Sequence, residues 1–312
     1  MANAKETEES EEVHVVIAHY AARGHEDLQR LCEQISGQDA GHPFHLLVVS
    51  NIDLSLDTSS TEKEQNQAVG LKVQADQLLG TMRKCLSSVA LSRKSTSHAS
   101  KHVLPSRIRS VRWAVRPNLG MNIGAWDFGW RLASTGGRSP AAKPERSISF
   151  LFLQDEVDIQ RKDWVHGFVH AKQEIQLGKG AVPILLGESW NHRWEKPWSV
   201  LIGAFNEAAS GSSLSDSMSQ RAKIYHQLLE QWGVKAQQSA GHLRSLVLFS
   251  NLSTLKSIHG FRVGKDKEAC VASEIAVSQA VAAQGGIVKQ VSADPFFYLW
   301  HREWRKDGLS KI

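Results

Sequence analysis

The sequence has few cysteines that could cross-link a secreted domain and no long apolar run that could span a membrane. Its 3 cysteines, Cys32, Cys85 and Cys270, lie far apart without CxxC spacing, which predicts reduced thiols rather than a disulfide framework. No run approaches the roughly 18 apolar residues of a membrane-spanning helix, and the start MANAKETEESEE is acidic where a signal peptide is basic and then apolar. We therefore expect a cytoplasmic protein without a transmembrane segment.

The chain also lacks a strong charge imbalance. Its 37 Lys and Arg residues stand against 32 Asp and Glu residues, for a net charge of +5, and the basic residues are spread along the sequence. This pattern argues against a nucleic-acid partner. With only 8 prolines and 22% charged residues, wholesale disorder is not expected, and a 312-residue chain is long enough for a large core.

What the sequence does contain is a repeated alternation of apolar strands and amphipathic helices. Residues 13–18 (VHVVIA) and 44–49 (FHLLVV) predict buried strands, and residues 24–36 between them place apolar side chains on one helical face. The alternation resumes with a strand at 111–115, a helix near 122–134, and the segment 147–159, whose core SFLFL predicts a buried strand that ends abruptly in acids. The predicted class is α/β, with a mostly parallel central sheet flanked by helices.

The later part continues the pattern with more irregular segments. We predict helices at about 162–176, 217–232 and 268–284 and strands within 181–188, 242–250 and the stretch GGIVKQVS. Residues 13–304 are predicted to form one domain, interrupted by a polar insertion at 53–107 with mobile ends and a possible helix from about 65 to 92. A disordered acidic tail (1–12) and a short tail (305–312) flank this domain.

Acidic residues follow the most convincing strand. After SFLFL come Gln154, Asp155, Glu156 and Asp158. Ligands of open parallel sheets bind outside the carboxyl ends of the strands, and hard carboxylate oxygens suit Mg²⁺ or Mn²⁺. The alternative interpretation is a solvated acidic turn.

A glycine-containing turn, RPNLGMNIGAWDFGW (116–130), is a second candidate site. Asn118 and Gly120 suit a tight turn, and glycines at a strand-to-helix junction let backbone N–H groups approach a phosphate. Asp127 follows in the same segment. The alternative is that the glycines serve close packing of a helix on the sheet.

Two further titratable residues lie in apolar surroundings. Glu274 is early in a helix whose other face is strongly apolar, so it could have a raised pKa and act as a general base, or simply complement the helix dipole. His301, in PFFYLWHREW, could contact a metal or a phosphate, or merely be exposed beside packed aromatics. Trp190, Trp194 and Trp198 recur every four residues and suit either sugar faces or a hydrophobic clasp under a loop.

In their order, these pieces resemble the nucleotide-sugar glycosyltransferases of the GT-A type, closest in character to family 2 and to rhamnan-synthesis-like enzymes. The strand VHVVIAHY, the strand LLVVSN and the turn NLGMNIGAWDFGW precede an acid cluster, the pair Gly260-Phe261 and an acidic residue opening a helix. The resemblance covers most of the chain but not residues 53–107. It implies a GT-A (Rossmann-like) fold and the transfer of a sugar from a nucleoside-diphosphate donor to an acceptor hydroxyl.

The resemblance also implies roles for individual residues. Its candidate nucleotide-binding residues are Asn118, Gly120, Asp127 and Asp155. Glu274 takes the place of the catalytic base of an inverting enzyme, and Asp155 with Glu156 takes the place of the metal-binding D-x-D motif, which implies Mn²⁺ or Mg²⁺ with His301 nearby. The tryptophans 190, 194 and 198 become candidates for an acceptor wall. Two positions depart from the family pattern, because Gln154 replaces the first aspartate and Ser273 precedes Glu274 where a second acid is common. A catalytically inactive sugar- or nucleotide-binding module is therefore the alternative function.

Overall fold

A seven-stranded sheet forms the centre of the protein. The structure, a computed structural model, describes residues 11–53, 107–135, 147–207 and 213–302. The sheet order is β3-β2-β1-β4-β7-β6-β8, and every strand in it is parallel to β1 except β7. The predicted α/β class with a mostly parallel central sheet flanked by helices is confirmed.

The strands of this sheet follow the apolar runs of the sequence. They are β1 (Glu12–Tyr20), β2 (Phe44–Ile52), β3 (Ile108–Pro117), β4 (Ile148–Gln154), β6 (Ile184–Gly187), β7 (Val247–Asn251) and β8 (Ile287–Gln290). A separate two-stranded sheet pairs β5 (Val157–Ile159) with β9 (Leu299–His301) in antiparallel fashion. Strand β1 is buried along almost its whole length because it lies inside the sheet with helices on both faces.

Helices cover both faces of the sheet. Helices α1 (Glu26–Gly37) and α3 (Trp164–Lys179) pack on one face, and α2 (Met121–Thr135), α6 (Leu252–Ser257) and α7 (Lys267–Ala283) pack on the other. A third apolar cluster joins α7 to α4 (Trp198–Glu207) and α5 (Ser213–Gln231). None of the helices in the described ranges has the length and apolar character that a bilayer-spanning segment needs.

The predicted buried strand SFLFL corresponds to β4, which ends at Gln154, directly before the acids. Residues Asp155 and Glu156 then form a turn, after which the chain continues as β5. The short elements β5, α4, α6 and β9 were not predicted.

Several predictions fall outside the described residues. The acidic tail up to residue 10, residues 54–106 of the predicted insertion with Cys85, the loop 136–146 and residues 303–312 belong to this group. Their predicted organisation, and the single-domain boundary at 13–304, stay predictions.

Candidate functional site

A pocket of about 270 Å³ opens at the carboxyl ends of β1 to β4. From β1 the chain proceeds to β2 and β3 on one side, whereas β4 lies on the other side of β1, so the pocket sits at a topological switch point, where open α/β sheets bind ligands. The polar lining includes His19, Arg23, Asn118, Asn122, Asp155 and Glu156.

Asp155 is held on the wall of the pocket by two groups of β1. Its Oδ2 atom lies 2.6 Å from His19 Nδ1 and 3.4 Å from the backbone nitrogen of Tyr20. On the far side of the ring, His19 Nε2 lies 2.9 Å from Nδ1 of His25. Burial, followed by the influence of His19, lowers the pKa of His25. The result is a continuous carboxylate–imidazole–imidazole chain beside the pocket.

Glu156 is held by a guanidinium and lies near a buried imidazole. Arg23 Nη1 lies 2.7 Å from Glu156 Oε1, and His301 Nε2 lies 3.7 Å from Glu156 Oε2. The same His301 nitrogen is 3.2 Å from the side-chain oxygen of Gln154. The structure therefore brings the predicted metal residues Asp155, Glu156 and His301 to one turn.

A buried carboxyl group after β6 anchors the backbone that leads to His301. Glu188 accepts hydrogen bonds from the backbone N–H groups of Phe297, Tyr298 and Leu299, at 2.8, 3.1 and 3.0 Å. Burial raises the pKa of Glu188 to about 8, against the opposing effect of these three donors. These bonds hold the chain up to the first residue of β9, the strand in which His301 lies.

A divalent cation fits this turn poorly as its side chains are arranged. Asp155 Oδ2 already faces the His19 ring, and Glu156 Oε1 already faces Arg23, whose guanidinium is permanently charged. Within residues 11–53, 107–135, 147–207 and 213–302, no group of three His, Cys, Asp or Glu side chains could hold a metal ion. Gln154, where the D-x-D motif has an acid, contributes no charge.

Glu274 is connected to the pocket through the backbone of Ser245. The Ser245 N–H lies 3.4 Å from Glu274 Oε2, while the Ser245 carbonyl oxygen accepts from Gln154 Nε2 at 2.7 Å and from Asn122 Nδ2 at 3.0 Å. Both amide side chains line the pocket. The predicted base thus lies one residue behind the pocket wall.

The environment of Glu274 suits a group that gains a proton easily. Burial raises the pKa of its carboxyl, partly offset by the hydrogen bonds from Ser245 and by the nearby charge of Arg244. Burial in turn lowers the pKa of Arg244 to about 10. A carboxyl with a raised pKa is a better proton acceptor at neutral pH than an ordinary glutamate.

The three predicted nucleotide-binding residues of the turn after β3 occupy different environments. Asn118 lines the pocket and donates to Asp53 Oδ1 at 2.9 Å. Gly120 is buried with φ +76°, and a Cβ there would lie 2.3 Å from Val263 Cγ1. Asp127 points to the opposite side of α2, where it accepts from Trp130 Nε1 and from the backbone nitrogen of Phe261, each at 3.0 Å. Of these three residues, only Asn118 belongs to the pocket lining.

The tryptophan stretch lies mainly in the core. Trp194 and Trp198 are 8% and 5% exposed in the cluster that joins α4, α5 and α7, and Trp190 is half-buried against the sheet. In this structure the rings of Trp194 and Trp198 pack in the core. A role for them as an acceptor wall stays a prediction that would require the rings to become accessible.

Sequence reasoning missed several lining residues. His19 lies at the end of β1, Arg23 lies in the 3₁₀ turn that follows, and Asn122 is the second residue of α2. The signal that could have found them is position, since each lies where a chain leaves the carboxyl end of a strand or begins a helix at that edge. Ser245 carried no signal, because its part in the site is made by its backbone.

Comparison with known proteins does not show a family for this chain. No family model matches the sequence, and no curated protein is similar to it. Among solved structures, that of mouse xyloside xylosyltransferase 1 in its apo form aligns over 90% of this chain and 78% of that chain, with 8% sequence identity and a TM-score of 0.27. The function of the pocket has to be inferred from its own geometry.

Proposed function

We propose that this chain binds a nucleoside-diphosphate sugar in the pocket at the carboxyl ends of β1 to β4 and transfers the sugar to an acceptor hydroxyl, as in the GT-A-type enzymes that its sequence resembles. One observation carries the proposal. The pocket gathers Asn118, Asp155 and Glu156 at the switch point, and Ser245 connects it to Glu274.

The lining offers complementary groups for the donor. The amides of Asn51, Asn118 and Asn122 can donate and accept hydrogen bonds to a base or a ribose. Arg23 brings a guanidinium, whose planar fork of donors matches phosphate oxygens. A cavity of about 270 Å³ is small for a whole nucleotide sugar, so we assign it to the diphosphate and the groups beside it.

Glu274 is proposed as the base on the acceptor side. It takes the proton of the acceptor hydroxyl while that oxygen forms a bond to the anomeric carbon. The bond from this carbon to the phosphate oxygen breaks, and the nucleoside diphosphate leaves with the electron pair. Attack from the face opposite the leaving group inverts the configuration, and the base must come within about 2.6–3.2 Å of the hydroxyl in the complex.

Mn²⁺ or Mg²⁺ at Asp155 and Glu156 stays a prediction. A cation there would supply positive charge to the departing diphosphate, but it would have to displace His19 and Arg23 from the carboxylates. No step of the proposed reaction depends on it.

A catalytically inactive binding module is the second candidate. Gln154 stands where the D-x-D motif has an aspartate, and its amide is used in bonds to Ser245 and His301. Such a module would keep the nucleotide pocket and lack turnover.

Ligand screening followed by a turnover assay tests the proposal. Thermal unfolding with UDP-, GDP- and dTDP-sugars, each with and without Mn²⁺, should show a raised midpoint for one of them, because binding to the native state stabilises it. Release of nucleoside diphosphate from that donor should then fall about 10²- to 10⁴-fold in Glu274→Gln, with donor binding retained.

Glu195→Gln serves as the matched control, because Glu195 is exposed and pairs only locally with His192 in the described contacts. Equal turnover in Glu274→Gln and the parent would remove Glu274 from the mechanism. Donor binding without turnover in the parent would favour the binding module, and no binding of any donor would contradict both.

A further inference from the structure

The carboxylate that the D-x-D comparison assigns to a metal is instead paired with the arginine of the same pocket. Arg23 follows β1 in the 3₁₀ turn Ala21–Arg23, and its side chain is 52% exposed, whereas that of Glu156 is 17% exposed. We infer that Arg23 supplies the positive charge that neutralises the diphosphate of the ligand. Glu156 positions the Arg23 guanidinium at the pocket, and no divalent cation is needed. The nature of the ligand rests on the proposed function.

The geometry leaves Arg23 able to exchange partners. One of its nitrogens, Nη1, bonds to Glu156, and its guanidinium lies 6.0 Å from the centre of the Tyr20 ring. A guanidinium presents five donors, so a phosphate can recruit those that face the pocket and compete for the one facing Glu156. Because the Arg23 side chain is half exposed, solvent screens its attraction to the less exposed Glu156, so the exchange has a modest energetic cost.

Glu156 also has a buried imidazole near its other oxygen. This oxygen lies 3.7 Å from Nε2 of the fully buried His301, beyond hydrogen-bond distance. The imidazole therefore remains beside the carboxylate when Arg23 turns to an anion, without replacing the bond from Arg23.

Two features of the same turn disfavour a cation. Asp155 Oδ2 is engaged by His19, and the amide of Gln154 is engaged at both ends, by Ser245 and by His301. A divalent ion between the carboxylates would also lie close to the positive charge of Arg23, which repels it. The charge that such an ion would bring is thus already supplied by the protein.

The two assignments of Glu156 predict opposite effects of one substitution. If Glu156 bound a metal for the diphosphate, Glu156→Gln would weaken ligand binding. If it holds Arg23, Glu156→Gln releases the guanidinium and strengthens binding. Isothermal titration calorimetry with UDP and with inorganic pyrophosphate, each in EDTA and in Mn²⁺, measures this difference on the full chain.

We expect both probes to bind in EDTA, with Mn²⁺ changing the affinity by less than about twofold. Glu156→Gln should tighten binding roughly threefold or more, and Arg23→Gln should weaken it about tenfold, the loss of one charge-assisted hydrogen bond. Asp158→Asn is the matched control. Asp158 lies on β5, pairs with Arg30 and Arg302, and does not belong to the pocket lining. The substitution should leave both affinities unchanged, and thermal unfolding of each variant verifies that it is folded.

The remaining outcomes separate this inference from the proposed function. UDP binding that requires Mn²⁺ and is lost in Glu156→Gln would overturn the inference and leave the proposed function standing. Arg23-dependent binding of pyrophosphate without binding of UDP would support the inference and remove the nucleotide. Failure of both probes to bind, with or without Mn²⁺, would overturn both.

Discussion

The side-chain nitrogen of Gln154 lies 2.7 Å from the carbonyl oxygen of Ser245, so the end of β4 is bonded directly to the segment that enters β7. The N–H group of Ser245 faces Glu274. One peptide segment thereby separates the pocket from the carboxylate behind it, and its backbone is hydrogen-bonded on both sides.

Gln154→Met should weaken this connection while nearly preserving side-chain volume. The Ser245 carbonyl loses its shorter hydrogen bond and keeps the one from Asn122, and the bond between His301 Nε2 and the Gln154 oxygen is lost as well. We therefore expect a loss of about 1–2 kcal/mol in the free energy of unfolding, measured by urea titration. Gln284→Met is the control, because Gln284 makes a similar bond to the Ser257 carbonyl at an exposed site. Equal losses in the two variants would contradict a special role for the Gln154 bond.

The rate of sugar transfer should fall at low pH with the protonation of Glu274. A general base acts when deprotonated, and burial raises the pKa of this carboxyl above its ordinary value of 4.5. The acid limb of kcat/KM should therefore lie above that value. Because the charge of Arg244 lowers the pKa of Glu274, Arg244→Met should move the limb to higher pH.

Lys289→Met removes a positive charge from an exposed position on β8 and controls for the change in net charge. It should leave the limb in place. An unmoved limb in Arg244→Met, or one moved to lower pH, would separate the pH dependence from Glu274.

Protein stability should decline between pH 6.5 and pH 4 because of His242. Its Nδ1 lies 2.9 Å from the Ala240 carbonyl oxygen and its Nε2 lies 3.2 Å from the amide nitrogen of Asn191, the pattern of a neutral ring. Burial lowers its pKa from 6.5 to about 4. As the pH falls through this window the unfolded chain takes up a proton that the folded chain does not, which costs up to about 3 kcal/mol.

Urea unfolding at pH 7.5, 6, 5 and 4.5 measures this slope. His242→Gln should lower stability at pH 7.5, where no proton is involved, and should show a shallower decline toward pH 4.5 than the parent. His226→Gln, at a half-buried site on α5, is the control. Parallel pH curves for the parent and His242→Gln would assign the acid sensitivity to other groups.

Gly124→Ala should distort the turn that carries Asn118. A Cβ at Gly124 would lie 1.9 Å from the Leu119 carbonyl oxygen, so the first turn of α2 and the preceding turn must separate. We expect a loss of roughly 1–3 kcal/mol from overpacking together with weaker binding of UDP. Gly178→Ala in α3, where a Cβ meets nothing within 4 Å, should be neutral or stabilising by up to about 1 kcal/mol.

The sequence was sufficient for those parts of the fold that depend on local apolar patterns. The buried runs of β1, β2 and β4 and the intervening helix α1 were predicted within a few residues, because strands covered on both faces appear as continuous apolar runs. The rule that ligands bind at carboxyl ends of strands also directed attention to Asp155 and Asn118, which the pocket brings together.

Other features depend on contacts between distant residues and left no local signal. The direction of β7 is one, since apolar periodicity is the same whichever way a strand runs. The bonds of His19 to Asp155 and of Gln154 to Ser245 join residues 136 and 91 positions apart. Trp194 and Trp198 have spacing that fits an exposed platform as well as a core, and only the packing of α5 and α7 around them distinguishes the two.

The reversed strand β7 has a consequence for how this architecture can change. The neighbouring strands β4 and β6 end at the pocket edge of the sheet, whereas β7 begins there. The peptide that carries Ser245 therefore leads into a strand instead of following one. Lengthening or shortening the connection from α5 would remodel the rim near Glu274 without shifting any strand register. A change in this connection would therefore alter the Ser245 side of the pocket and leave the side formed by β1 to β4 in its present shape.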